Sequence, residues 1–197
     1  MAGAEGEGSG WPPEWTPSTD HLVERLLDRR VVLVSGRLDQ AVLTEAAARL
    51  MLLDGMGDEP VELVLTCPDG DLGAAMSLAD TVELVGVEVR ALCAGSIGGP
   101  SVLPFAVATH RLAQPHATFR LGEPRFEIDG RASVVAEETA RHAELLADFQ
   151  RRLADATGQP VTTIAADLRR GRFLTADEAR SYGLVDEIAS RGRLRSL

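Results

Sequence analysis

Apolar residues along this chain come as short runs separated by stretches in which they recur every three or four positions. The runs are "VVLVSG" at 31–36, "VELVLT" at 61–66 and "VEVRALC" at 87–93. None alternates strictly between polar and apolar, as a strand with one wet face does. They predict strands buried on both faces, with Gly36 closing the first. Between them the spacing turns helical. "DHLVERLLDRR" carries Leu22, Leu26 and Leu27 on one face. "QAVLTEAAARLMLLDG" predicts a helix stopped by Gly55, and "DLGAAMSLADTVELV" and "SVLPFAVA" predict two more. A β, α, β, α, β, α order predicts a parallel sheet covered by helices.

The second half has a different rhythm. "ATFRLGEPRFEIDGRAS" predicts two extended pieces around a turn at Asp129-Gly130. A long helix follows, about Ser133 to Ala156, well beyond the usual ~11–12 residues. Its stripe, Val134, Val135, Leu145, Leu146, Phe149 and Leu153, either packs on its own sheet or needs a partner subunit. Gly158 ends that helix. Pro160 suits the first turn of the next, Thr175 is placed as the N-cap of a short third, and "LVDEIA" closes the pattern as a strand or edge piece. No repeat and no second domain is visible. The reading is an arm at 1–19 and a single domain at 20–197.

Composition narrows the function classes. A formal charge of −10 argues against nucleic acid and anionic membranes as partners. No apolar run approaches the ~20 residues of a membrane span, and the first residues lack a basic and an apolar signal region. The expected location is therefore cytoplasmic. Cys67 and Cys93 are far apart and show no metal spacing, which predicts reduced, buried thiols. The four histidines, His21, His110, His116 and His142, form no HxxxH or HExxH pattern, so neither a metal nor another cofactor is expected. The arm "MAGAEGEGSGWPPEWTPST" is rich in Gly, Pro and Glu and cannot bury enough to order itself. Trp11 and Trp15 are its exceptions, suited to docking on a partner subunit or to packing on their own domain.

Several strings, in their order and spacing, resemble the proteolytic subunit of the Clp protease, the ClpP family. They are Thr157-Gly158-Gln159, Arg172-Phe173-Leu174-Thr175-Ala176, Glu178-Ala179, Tyr182-Gly183-Leu184-Val185-Asp186, "CPDGDLGAAMSLADTV" and "RLLDRRVVLVSG". The resemblance runs from about Asp20 to Ala189. It implies an α/β fold of the ClpP/crotonase type, a spiral of ββα units with a protruding strand-helix handle near 124–157. It also implies a serine endopeptidase, a homo-oligomeric ring of seven, two stacked rings, and a hexameric Clp ATPase unfoldase as partner. Arg125-Phe126-Glu127 stands where the family carries a glycine-rich piece of the handle.

Carried over position by position, the family's Ser, His and Asp fall on Gly99, Gly122 and Gly171, with a two-residue gap between Val102 and His110. Glycine cannot attack a carbonyl, take a proton or orient an imidazole. Losing a nucleophile removes most of the ~10⁶-fold acceleration that a triad supplies. The two oxyanion-hole donors fall on Gly70 and Pro100, and Pro100 has no N–H. Asp69 beside Gly70 is repulsive toward an oxyanion if it points inward. The resemblance therefore implies a catalytically inactive subunit, alone or in mixed rings with active paralogues.

Two alternatives stand beside it. One is an active peptidase with a displaced triad built on Ser96 or Ser101. Ser101 is rotated by roughly 200° from the Gly99 direction if helical, and His116 lies about 20 Å before Gly122 along a strand. The bland reading makes Ser96 and Ser101 cap or turn residues, His116 a surface residue, and His110 the end of the short helix. The other is a crotonase-like acyl-CoA binder. "HRLAQPHATFRLGEPRF", with Ala113, Ala117, Phe119 and Glu123, is similar to that class, and Gly98-Gly99 would be its oxyanion corner. Asp69-Gly70-Asp71 reads as a turn with a helix-capping acid. Asp186-Glu187 is a carboxylate pair in sequence only, and Arg191, Arg193 and Arg195 read as a solvated tail.

Overall fold

A computed structural model describes residues 19–190 of the chain. The arm with Trp11 and Trp15, and the arginines 191, 193 and 195, lie outside the described residues. The chain enters through α1 (Thr19–Leu27) into β1 (Val31–Leu38), α2 (Gln40–Asp54), β2 (Val61–Gly70), α3 (Leu72–Leu84) and β3 (Val89–Gly98). It continues through α4 (Val102–Ala106), β4 (His110–Ala113), β5 (Thr118–Leu121), α5 (Ala132–Thr157), α6 (Val161–Arg170), β6 (Arg172–Thr175), α7 (Ala176–Tyr182) and β7 (Glu187–Ile188). The strands β1, β2, β3, β4 and β7 lie parallel in that order, as the alternating pattern predicts.

One face of the sheet is core. Val61, Leu63, Leu65 and Cys67 of β2 point into it, fully buried. Leu50 and Leu53 of α2 and Leu78 of α3 close over them. Phe105 and Phe119 meet there with ring centroids 5.3 Å apart, and Phe149 of α5 is fully buried alongside. The other face departs from expectation. Leu33, Val64 and Leu92 stand side by side in one row across β1, β2 and β3. Leu33 remains 39% exposed and Val64 half-buried, so that face is only partly covered.

Three further expectations are corrected. Gly36 does not end β1; it sits at φ +84° where the β1–β2 register shifts between Ser35 and Arg37, a bulge that only glycine makes without strain. The apolar helix α4 stops at Ala106, and His110 opens β4 instead of ending the helix. Of the two extended pieces expected around Asp129-Gly130, the first is β5, but residues 122–131 form no strand. The stripe on α5, which the sequence leaves open to either kind of packing, is buried only toward its C-terminal end. Phe149 and Leu153 are fully covered, Leu145 and Leu146 are half-buried, and Val134 is 46% exposed. On the outer part, Phe126 stacks on His142 with centroids 4.1 Å apart. Gly158, at φ +72°, caps α5 in the left-handed conformation.

A guanidinium ties the late elements together. Arg111 of β4 donates to the carbonyls of Ala156 and Gly183, both at 2.9 Å, and to the Asp186 carboxylate. Burial alone would raise the Asp186 carboxyl. The hydrogen bonds from the Arg111 side chain and backbone N–H, and its charge, outweigh that and hold the group below the ordinary carboxylate value. A carboxyl lowered in the fold stabilises it above its unfolded pKa and loses that contribution as pH falls through the folded value. Asp186→Asn should flatten the acid limb of a urea-midpoint profile below about pH 4, the ordinary carboxylate range. An unchanged limb would show that Asp186 carries no such linkage.

Both cysteines are free and fully buried. Burial pushes the Cys67 thiol up to about 11 and the Cys93 thiol up to about 12. At pH 8 neither should react with a thiol reagent in the folded chain, and both should react in guanidinium.

Candidate functional site

The site is built by one strand with two partners. Arg90–Cys93 of β3 pair with β4, whereas Ser96–Gly98 pair with Thr118–Arg120 of β5. Gly95 between them has φ +119°, a backbone state closed to other residues, and lets β3 change partners. β5 then runs antiparallel to β6, with Leu121 opposite Arg172. These two registers bring three positions to one corner. Gly99 follows the last β3–β5 pair, Gly122 follows Leu121, and Gly171 precedes Arg172. A Cβ on Gly99 would lie 3.9 Å from the Gly122 carbonyl oxygen. The N–H groups of Glu123 and Gly171 both donate to the carbonyl of Leu168, at 3.0 and 3.1 Å. The three glycines on which the family resemblance sets the Ser, His and Asp are thus neighbours.

The backbone at this corner tolerates little else. Gly99 has φ +57° and Gly171 has φ +66°. A Cβ on Gly98 would stand 2.4 Å from the Pro68 carbonyl oxygen, and one on Gly70 would stand 2.5 Å from the Ser101 hydroxyl. Pro100 occupies the first turn of a 3-10 turn, Gly99–Ser101, where a missing N–H is harmless to the fold. Ser101 is fully buried and its hydroxyl donates to the Asp69 carbonyl at 3.0 Å. It ties the turn to the end of β2, as a turn residue does. Ser96 is half-buried opposite Thr118.

The side chains that do fill the corner are charged. Asp69 Oδ2 accepts from Arg37 Nη1 at 2.9 Å, and its Oδ1 lies 3.8 Å from Arg120 Nη2. That same Oδ1 is 3.1 Å from where a Gly99 Cβ would stand, and Arg120 Nη1 is 3.3 Å from where a Gly122 Cβ would stand. A carboxylate held by two guanidiniums therefore leans over Gly99, and Arg120 lies against Gly122. Asp71 is the N-cap of α3 by position, yet its side chain makes no cap hydrogen bond; it pairs with Arg37 instead. The hydrogen bond and charge of Asp71, and then those of Asp69, raise the Arg37 guanidinium above its ordinary value. Arg37 and Arg120 were not legible as site residues. The signal that finds Arg37 is its register partner, Asp69, and that register exists only because of the bulge at Gly36.

Behind Gly171 sits a second cluster. Asp167 is buried; its Oδ2 accepts from the Tyr182 hydroxyl at 2.9 Å and from Arg172 Nη1 at 3.0 Å. Burial first, then the hydrogen bond and charge of Asp167, raise the Tyr182 phenol above its ordinary value. The cluster locks α6, β6 and α7 around Gly171. The imidazoles described lie elsewhere. His110 faces Asp186 and Glu187 at 3.9 and 3.5 Å, His142 stacks on Phe126, and His116 is exposed. Glu123 is also exposed. Among the described residues no group of three or more His, Cys, Asp or Glu side chains could hold a metal ion. No described helix is long and apolar enough to cross a membrane.

The Clp protease family profile matches residues 16–192. The chain belongs to the Clp protease family. Among curated relatives it is similar to the ATP-dependent Clp protease proteolytic subunit 1 of Mycobacterium leprae, with 30% identity over 181 residues, 89% of this chain and 90% of that protein. It is 28% identical over 173 residues to the subunit of the same name from Bacillus cereus, across 86% of this chain and 90% of that one. The match covers the Clp protease fold from α1 to β7, including the glycine corner.

The corner's backbone can be tested separately from its chemistry. Gly171→Ala meets no atom within 4 Å and should cost only the left-handed strain of about 1–2 kcal/mol. Gly98→Ala drives a methyl into the Pro68 carbonyl and should cost about 3 kcal/mol or more. Equal losses in urea denaturation would contradict this geometry.

Proposed function

We propose that this Clp protease family chain is a non-cleaving subunit, a structural or regulatory member of a Clp-type ring. One observation carries the reading: Gly99, Gly122 and Gly171 meet at one corner, and the group nearest Gly99 is the Asp69 carboxylate. Peptide hydrolysis by an activated serine needs a hydroxyl, an imidazole that takes its proton and an acid that orients the imidazole. It also needs N–H donors aimed at the oxygen that becomes negative. At the corner Gly99 offers no hydroxyl, Pro100 offers no N–H, and Asp69 sets negative charge beside the place where more would develop. The two arginines around Asp69 do not substitute for those donors, because their hydrogen bonds and charge are directed to Asp69 and Asp71.

The assembly follows from the same reading. The chain joins rings of seven, stacked in pairs, either of its own copies or mixed with cleaving paralogues, and a Clp ATPase docks on the ring. The names of its relatives, proteolytic subunits of an ATP-dependent protease, support that kind of partner.

Purified protein should release no fluorophore from a peptide substrate and take no label from a fluorophosphonate serine probe. Gly99→Ser should leave both results unchanged, since no imidazole or oxyanion donor comes with it. Labelling of the unsubstituted chain at a single serine overturns the proposal. Mass photometry, alone and with a cleaving paralogue, should show ring-sized particles; a monomer under both conditions overturns the assembly.

A further inference from the structure

Two of the three glycine positions at the corner are already occupied by other side chains. A Cβ at 99 would stand 3.1 Å from Asp69 Oδ1, closer than ordinary van der Waals contact. One at 122 would stand 3.3 Å from Arg120 Nη1, 3.4 Å from its Cζ and 3.8 Å from its Nε, so the guanidinium lies broadside against Gly122. The third position differs: a Cβ on Gly171 would meet nothing within 4 Å. Gly99 and Gly122 therefore do more than lack functional groups. They leave the room into which a carboxylate and a guanidinium lean. Those two meet there, Asp69 Oδ1 to Arg120 Nη2 at 3.8 Å.

Both members are held from behind. Asp69 sits opposite Arg37 in the β1–β2 ladder and accepts from it, while Arg37 is held in turn by Asp71. Arg120 sits opposite Gly98 in the β3–β5 ladder, and its Cβ is 3.4 Å from where a Gly98 Cβ would stand. Four charges of alternating sign, Asp71, Arg37, Asp69 and Arg120, thus run from the start of α3 to β5. β2 and β5 are not paired with each other, so the Asp69–Arg120 contact bridges two ladders across the corner. A peptide main chain lying over Gly99 and Gly122 would have to displace both side chains. It would also set its carbonyl oxygens against the Asp69 carboxylate, which only accepts hydrogen bonds.

Resting on the non-cleaving reading, we propose that Asp69 and Arg120 form a plug, which fills the space freed by glycine at 99 and 122 and keeps peptide main chain out of the corner. The corner is closed from within its own subunit. Arg37 is the positioning residue: it fixes the Asp69 carboxylate over Gly99, and Arg120 then completes the closure from β5. Asp69 and Arg120 are each about a third exposed, so the plug is weak enough to be opened by removing one charge.

The test is to irradiate the full chain with a capped, uncharged hexapeptide carrying benzophenone and to map the crosslinks by mass spectrometry. An uncharged probe keeps its own charge from biasing the result. The unsubstituted chain should crosslink only weakly in segments 96–101 and 118–123. Asp69→Ala and Arg120→Ala should each raise the yield in those segments by up to about five-fold, the factor that one exposed ion pair can carry. The double variant should gain less than the product of the two, because the side chains act as one plug. If alanine at either place impairs folding, Asp69→Asn and Arg120→Gln keep the shape, remove the charge and should raise the yield in the same segments. Equal yields at the corner in the unsubstituted chain and the variants overturn the plug and leave the non-cleaving reading standing. Cleavage of the peptide by the unsubstituted chain overturns that reading, and the plug with it.

Discussion

A single strand hydrogen-bonded to two different neighbours is the constraint on which the rest of this subunit depends. The first half of β3 pairs with β4 and the second half with β5, around Gly95 at φ +119°. Buried backbone polar groups must find partners, so the second half of β3 cannot stand alone once it leaves the main sheet. β5 supplies that partner and in turn takes β6 as its own. From these two ladders follow the place of Gly99, the approach of Gly122, and the end of α6 at Gly171. Phe119 of β5, fully buried, packs its ring on Phe105 of α4 with centroids 5.3 Å apart.

At the corner, backbone contacts and side-chain charges do different things. Asp69, Arg37 and Arg120 are each about a third to half exposed, and ion pairs of that kind contribute about 0–1 kcal/mol. The close approach of Gly98 to Pro68 and of Gly70 to Ser101 leaves no such latitude. The shape of the corner is therefore held by glycine backbone packed against the Pro68 carbonyl and the buried Ser101 hydroxyl, and its electrical character by three charged side chains that could change without unfolding it. A family scaffold can keep its architecture while the chemistry at its centre is altered, since different atoms carry the two properties.

The sequence made this fold legible where one pattern sufficed. Apolar runs at 31–36, 61–66 and 87–93 became the parallel strands, and Thr175 with Glu178 three residues later became a capping box that opens α7. It was less legible where a residue's role depends on register. Gly36 read as the end of a run because a bulge and a stop use the same residue. Asp71 read as a cap because its position is a cap; only the fold shows Arg37 within its reach. The piece after Gly122 read as a strand from its composition, but a strand needs a paired neighbour, and no described strand pairs with residues 122–131. The three glycines were found by family resemblance. Their meeting at one corner rests on backbone pairing that no local pattern contains.

The uneven burial of α5 divides one continuous helix into two thermodynamic regimes. Its last turns, anchored by Phe149 and Leu153 and closed by Gly158, open only when the whole subunit opens. The turns before Glu144 are held by their own hydrogen bonds and by the Phe126–His142 stack, and such a segment frays at a free energy far below that of global unfolding. Amide protons should therefore be lost from the two ends at rates set by separate events. Whatever surface the outer turns meet would first have to quiet that motion, and would lose binding free energy in doing so.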